Sequence, residues 1–140
     1  MIFLLNSFSV KMLPPEVFSD LKPAIGEESW TDFPEVSILF KKLPERWVRA
    51  LVREESASTH GVIISAIGHE ATAKVLSERL GVEIPAERRD VHLRRAKLDT
   101  FPATFIVCQV ELPRLAEGQV LTEQEVKAAP ITFYEVLVLD

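Results

Sequence analysis

The chain of 140 residues, 47% apolar and 26% charged, has the size and balance of one globular domain built on a single hydrophobic core. Its formal net charge of −5 argues against holding DNA or RNA, double-stranded nucleic acid included, by bulk electrostatics, but leaves room for a small anionic ligand in a locally basic pocket. A single cysteine, Cys108, excludes an internal disulfide framework and any multi-cysteine zinc motif, and fits a reducing, cytoplasmic compartment.

The opening "MIFLLNSFSV" is apolar but lacks a positive flank and is interrupted at Asn6. It is a poor signal peptide and too short to span a bilayer, so a first strand and no membrane association are predicted. Residues 12–36 are rich in proline, acid and turn formers and read as a long loop. "SILFKKL" (37–43) reads as a short helix ended by Pro44, and "RWVRALVRE" (46–54), with Trp47, Arg49, Leu51 and Arg53 alternating against Val48, Ala50 and Val52, as a strand. The run "GVIISAIG" leads to His69. After it, Ala73, Leu76 and Leu80 lie at i, i+3, i+7 and predict a helix over 70–80 capped by Gly81. "VHLRR" reads as a strand with exposed charges, and "ATFIVCQVEL" (103–112) as a central strand. In "LTEQEV", Thr122 and Glu125 form a capping box, and "ITFYEVLVL" (131–139) reads as a last strand. The sum is an α/β single domain with a mixed sheet of about five strands and two or three helices packed on it.

Three places carry candidate chemistry. The stretch 87–97 gathers Arg88, Arg89, Arg94, Arg95 and Lys97 against Glu87 and Asp90, a basic run that also suits the solvated face of a strand. His69 lies at the mouth of a predicted helix, whose unpaired N–H groups attract phosphate and beside which an imidazole can protonate a leaving oxygen. A plain helix cap is the alternative. His60 and His92 share no metal-ligand spacing with His69, Cys108 sits in an apolar run that favours inert packing, and no G-x-S-x-G turn is present. In "QVELPRLAEG" (109–118), Gln109 leaves the central strand, Arg114 suits bidentate phosphate contact and Glu117 can orient a histidine or a sugar hydroxyl. An exposed turn with an i, i+3 ion pair is the other reading.

In this order, "LLNSFSVKML", "SAIGHEATAKVLSERLGVEIPAERRDV", "QVELPRLAEGQVLTEQEV" and "FYEVLV" resemble the small ring nucleases of archaeal viruses and phages. That family was once only a domain of unknown function, is now known as type III anti-CRISPR proteins, and has relatives beside bacterial CRISPR loci. The resemblance spans about 1–13 and 47–139 and rests on the combination of the SxIGHxxT and RLxEG blocks. It implies a dimeric α/β sandwich that cleaves cyclic tetra-adenylate, with no metal or cofactor, to linear di-adenylate with 2′,3′-cyclic phosphate ends. This switches off type III CRISPR signalling in the cytoplasm, that of the host cell if the gene is viral. A protein that binds the ring without cutting it, a sponge or sensor, is the alternative.

The resemblance makes His69 the general acid and Glu117 its catalytic companion. Arg114 holds phosphate, Asn6 and Ser9 position ribose and phosphate, and Gln109 aligns the 2′-hydroxyl. Thr72 lines the pocket and Arg88 adds positive field. Lys11 replaces a small polar residue, Ala71 a hydroxyl residue, and Gln109 and Arg114 stand one residue further apart than in some viral members. The stretch 14–46 has no counterpart in the family pattern and is expected to be a loop or helical insertion, a lid or a decoration.

Overall fold

The computed structural model describes residues 1–14, 36–94, 103–112 and 120–139. Five strands, β1 (Ile2–Leu5), β2 (Ser37–Leu43), β3 (Ile63–Ala66), β4 (Thr104–Val110) and β5 (Ile131–Leu139), form one sheet in the order β2-β5-β4-β1-β3. β1 runs parallel to both β3 and β4, with Leu5 opposite Ala66 on one side and Val107 on the other. β5 returns antiparallel to β4, and β2 antiparallel to β5. The predicted mixed sheet of five strands is therefore present, with three helices.

Helices α1 (Glu45–Ala57) and α2 (Glu70–Leu80) cover one face of the sheet. Val48 and Val52 of α1 and Leu76 and Leu80 of α2 are fully buried against Leu4, Ile106 and Phe133 of the sheet. Arg49 reaches from α1 to donate its Nε–H to the Arg79 carbonyl at 2.9 Å, satisfying a last-turn acceptor of α2. α2 ends as predicted at Gly81, whose φ of 74° only glycine adopts without strain. Helix α3 (Glu123–Ala128) starts with the predicted capping box. Glu125 N–H donates to Thr122 Oγ1 at 3.2 Å, and Thr122 N–H to Glu125 Oε1 at 3.4 Å.

The opposite face carries no helix among the described residues. Val91 and Leu93 close it together with Leu5, Phe105, Val107, Val136 and Val138. Their segment is a strap rather than the predicted strand. Val91 and Leu93 are buried while His92 and Arg94 are exposed, so the alternation is real, but residues 91–94 join no strand of the sheet. The strap is tied instead by Leu93 N–H to the Met12 carbonyl at 2.6 Å and by Glu87 N–H to the Ile67 carbonyl at 2.9 Å.

Two predicted elements are exchanged. Residues 37–43, expected as a helix, are edge strand β2, paired along its length with β5. Residues 46–54, expected as a strand, lie within α1, because Val48 and Val52 at i, i+4 pack inward and Pro44 takes the N-cap position instead of ending a helix. Within the stretch 14–46, expected as a loop or helical insertion, residues 37–43 are β2 and residues 45–46 begin α1; residues 15–35 lie outside the described residues.

Thr122→Ala removes the side-chain acceptor at the start of a helix of only six residues and should lower stability by about 1 kcal/mol; a urea midpoint that falls at constant m-value is the expected outcome. Burial pushes the Cys108 thiol up to about 12 from 9.0. Because the folded value lies above the unfolded one, stability is unaffected by this group below pH 9.0 and declines as pH climbs toward 12. At pH 8 the folded protein should leave a thiol reagent unconsumed, and one equivalent should react in denaturant.

Candidate functional site

The parallel strands β1 and β3 end side by side at Leu5 and Ala66, β4 runs on past Val107 to Val110, and the polar candidates lie at this edge. Asn6 is the residue after β1, His69 is three beyond the end of β3, and Gln109 is two beyond the β4 residue that pairs with Leu5. In open α/β sheets this carboxyl edge is where ligands bind, because the loops there converge while the strands hold them rigidly.

A cleft of about 370 Å³ at this edge is lined by Asn6, Gly68, His69, Arg88, Arg89 and Asp90. Three of the predicted site residues, Asn6, His69 and Arg88, thus come together from positions far apart in the chain. His69 is the N-cap of α2, with extended backbone (φ −110°, ψ 123°), and its side chain makes no capping hydrogen bond. The ring is exposed and has no hydrogen-bond partner among the described residues. The imidazole therefore neither caps the helix nor fills the core, and the amide donors of the first turn stay uncapped by it.

Gly68 brings Arg88 to the same place. A Cβ on Gly68 would stand 3.2 Å from Arg88 Cγ, so the arginine stem lies across bare backbone beside His69. Among the described residues Arg88 has no ion-pair partner, whereas Arg89 is paired with Glu87. The strap that carries both arginines is anchored by Ser65, which donates its hydroxyl to the Pro85 carbonyl at 2.6 Å and is itself buried.

A second cleft, of about 530 Å³, opens on the other side of His69 and Arg88 over Glu70, Lys74 and Glu123. Lys74 is spent on Glu123 at 3.1 Å, and hydrogen bonds from Lys74 and then Lys127 hold the Glu123 carboxyl below the usual carboxylate range. A phosphate meets two carboxylates there but only Asp90 in the first cleft, so the first cleft is the better anion site.

Gln109 lines a third cleft, of about 430 Å³, which shares Asn6 with the first. Ser9 lines a fourth, of about 450 Å³, with Lys11 and His92, joined to the first through Met12, Arg89 and Asp90. The Ser9 hydroxyl also accepts from Lys11 N–H at 3.3 Å, starting the single 3₁₀ turn Val10–Met12. Thr72 does not line these clefts. It is buried, 1% exposed, because the turn of α2 that follows His69 rotates it inward with Val75 and Leu76. Arg114 and Glu117 lie outside the described residues. The sequence reading passed over Phe8, Phe40 and Tyr134, which share the third cleft with Gln109. Among the described residues no three His, Cys, Asp or Glu side chains are grouped to hold a metal ion, and no helix is long and apolar enough to cross a membrane.

Comparison with known proteins agrees with this architecture. Protein B116 of Sulfolobus turreted icosahedral virus has a solved structure that superposes with a TM-score of 0.58 at 25% sequence identity, over 97% of each chain. An uncharacterized protein, ORF117 of Acidianus two-tailed virus, is 39% identical over 72 residues, a stretch that takes in 51% of this chain and 56% of that protein, so just over half its length. The profile of the STIV B116-like family matches residues 2–134, nearly the whole domain. The chain belongs to the STIV B116-like family.

Proposed function

We propose that this protein is a metal-independent ring nuclease acting on cyclic tetra-adenylate, and so a silencer of type III CRISPR signalling. The observation that carries the reading is the convergence of Asn6, His69 and Arg88 in one cleft at the carboxyl edge of the parallel strands, with the imidazole unengaged. The ring-nuclease resemblance of the SxIGHxxT and RLxEG blocks supplies the substrate.

In this reading a phosphodiester of the ring sits between Arg88 and the uncapped first turn of α2. The charged guanidinium and the amide donors there offset its negative charge. The ribose 2′-oxygen attacks the adjacent phosphorus in line, the bond to the 5′-oxygen breaks, and protonated His69 delivers its proton to that leaving oxygen. The 2′-hydroxyl proton passes to solvent. The products are a 5′-hydroxyl and a 2′,3′-cyclic phosphate. Asn6 positions the sugar-phosphate beside His69, Ser9 lines the adjoining cleft with Lys11 and His92, and Glu117 and Arg114 complete the machinery as in the family the motifs resemble. Two copies related by a two-fold axis would present equivalent groups to opposite sides of a four-nucleotide ring.

Purified protein incubated with cyclic tetra-adenylate in EDTA should yield di-adenylate with cyclic phosphate ends, resolved by chromatography and mass. His69→Ala should slow this about 10²- to 10⁴-fold, the usual worth of a general acid. Arg88→Ala removes one charge-assisted contact of about 1.5–3 kcal/mol and should weaken ring binding roughly ten- to hundredfold in a titration. A ring that co-elutes intact with the wild-type protein identifies a sponge or sensor instead. A ring neither bound nor cut refutes the substrate.

A further inference from the structure

We infer that the third cleft, between the turn after β1 and the strands β2, β4 and β5, is a purine-base subsite of the same ligand, with Phe8, Phe40 and Tyr134 as its stacking surface. The inference rests on the ring-nuclease reading for the identity of the whole ligand, but its own evidence is local.

The sheet register builds the surface. Tyr134 lies opposite Val107 on β4 and opposite Lys42 on β2, and Phe40 lies opposite Val136. With a side-chain period of two, Phe40, Tyr134, Val107 and Gln109 all stand on the face away from α1 and α2. Phe8 meets Phe40 edge-on, with ring centroids 5.2 Å apart and planes at 85°. Phe40 is nevertheless 48% exposed, an aromatic ring held in place by a neighbour while much of its surface stays open.

Charge separates this cleft from the one beside it. Among the described residues its lining is neutral, whereas the adjoining cleft holds Arg88, Arg89 and Asp90. A phosphate gains nothing among Phe8, Phe40 and Tyr134; a flat, uncharged heterocycle gains stacking there. The Asn6 and Gln109 carboxamides, which the ring-nuclease reading gives to the sugar-phosphate, line the same cleft, so a base stacked here lies beside its own ribose. The volume, about 430 Å³, falls within the range of small-molecule sites. Asn6 lines both clefts, so a base in one and its phosphodiester near His69 in the other are the two ends of one nucleotide.

The test uses Phe40→Ala, at an exposed position on an edge strand, with Phe40→Tyr as the conservative control. Binding of cyclic tetra-adenylate should weaken roughly 5- to 150-fold in Phe40→Ala, as removal of a stacking platform does, and should be retained in Phe40→Tyr. The cleavage rate at saturating ring should stay at the wild-type value, so that the loss falls on KM and not on kcat. Adenosine monophosphate should shift the amide resonances of Phe8, Phe40 and Gln109 at lower concentration than uridine monophosphate does. If the wild type cuts the ring and Phe40→Ala binds it equally well, the subsite is refuted while the activity stands. If the ring is ignored but adenosine monophosphate still shifts these resonances and loses them in Phe40→Ala, the subsite stands and the ring-nuclease reading falls. Equal response to the two monophosphates, or none, overturns the subsite.

Discussion

The arrangement depends on β1 being paired in parallel on both sides. Leu5 is locked opposite Ala66 and Val107 at once, so the ends of β1 and β3 and the later part of β4 are held at one level. A slip of one residue in either pairing would turn Leu4, fully buried under the helices, toward the opposite face and move Asn6 away from His69. The register that satisfies the core therefore also sets the spacing of the candidate site. Ser65, buried near the end of β3, extends that control to the strap and hence to Arg88.

An acidic protein can hold an anion where a cation without an ion-pair partner lies beside a polar cleft. Glu45 takes up Arg49 and Arg79, Glu123 takes up Lys74 and Lys127, and Glu87 takes up Arg89. Arg88 has no such partner among the described residues, and Gly68 lets it lie beside the His69 turn. Net charge describes long-range attraction; the local field at a strand edge is decided by which cations already have partners. The same edge passes from charged to neutral within the span of Asn6, as the two halves of a nucleotide do.

Local patterning made much of this fold legible. The apolar runs of β1, β4 and β5, the stripe Ala73–Leu76–Leu80 with Gly81, and the Thr122–Glu125 box each carry their own geometry. The exchange of β2 and α1 arose where two periods coexist. "RWVRALVRE" alternates apolar and basic residues while also placing Val48 and Val52 one turn apart, and "SILFKKL" is an edge strand buried chiefly at Leu43, so it shows little two-fold pattern. The place of His69 at the helix mouth was legible because the helix start that exposes it is encoded beside it. The burial of Thr72 was not legible, because nearness in sequence to the helix mouth says nothing of the rotation that turns it inward. Phe8, Phe40 and Tyr134 were invisible as a group, since only the order β2-β5-β4-β1 brings the two strands and the turn after β1 to one place.

The central claim is that a phosphodiester occupies the cleft at the carboxyl edge of β1, β3 and β4. An amide-resolved NMR titration of the His69→Ala variant with cyclic tetra-adenylate tests it without turnover. Saturable shifts concentrated at Asn6, at Gly68 to Ala71 and at Arg88 to Asp90 are the expected result. Shifts confined to the outer surface of α1, or a spectrum unchanged by the ring, would contradict it.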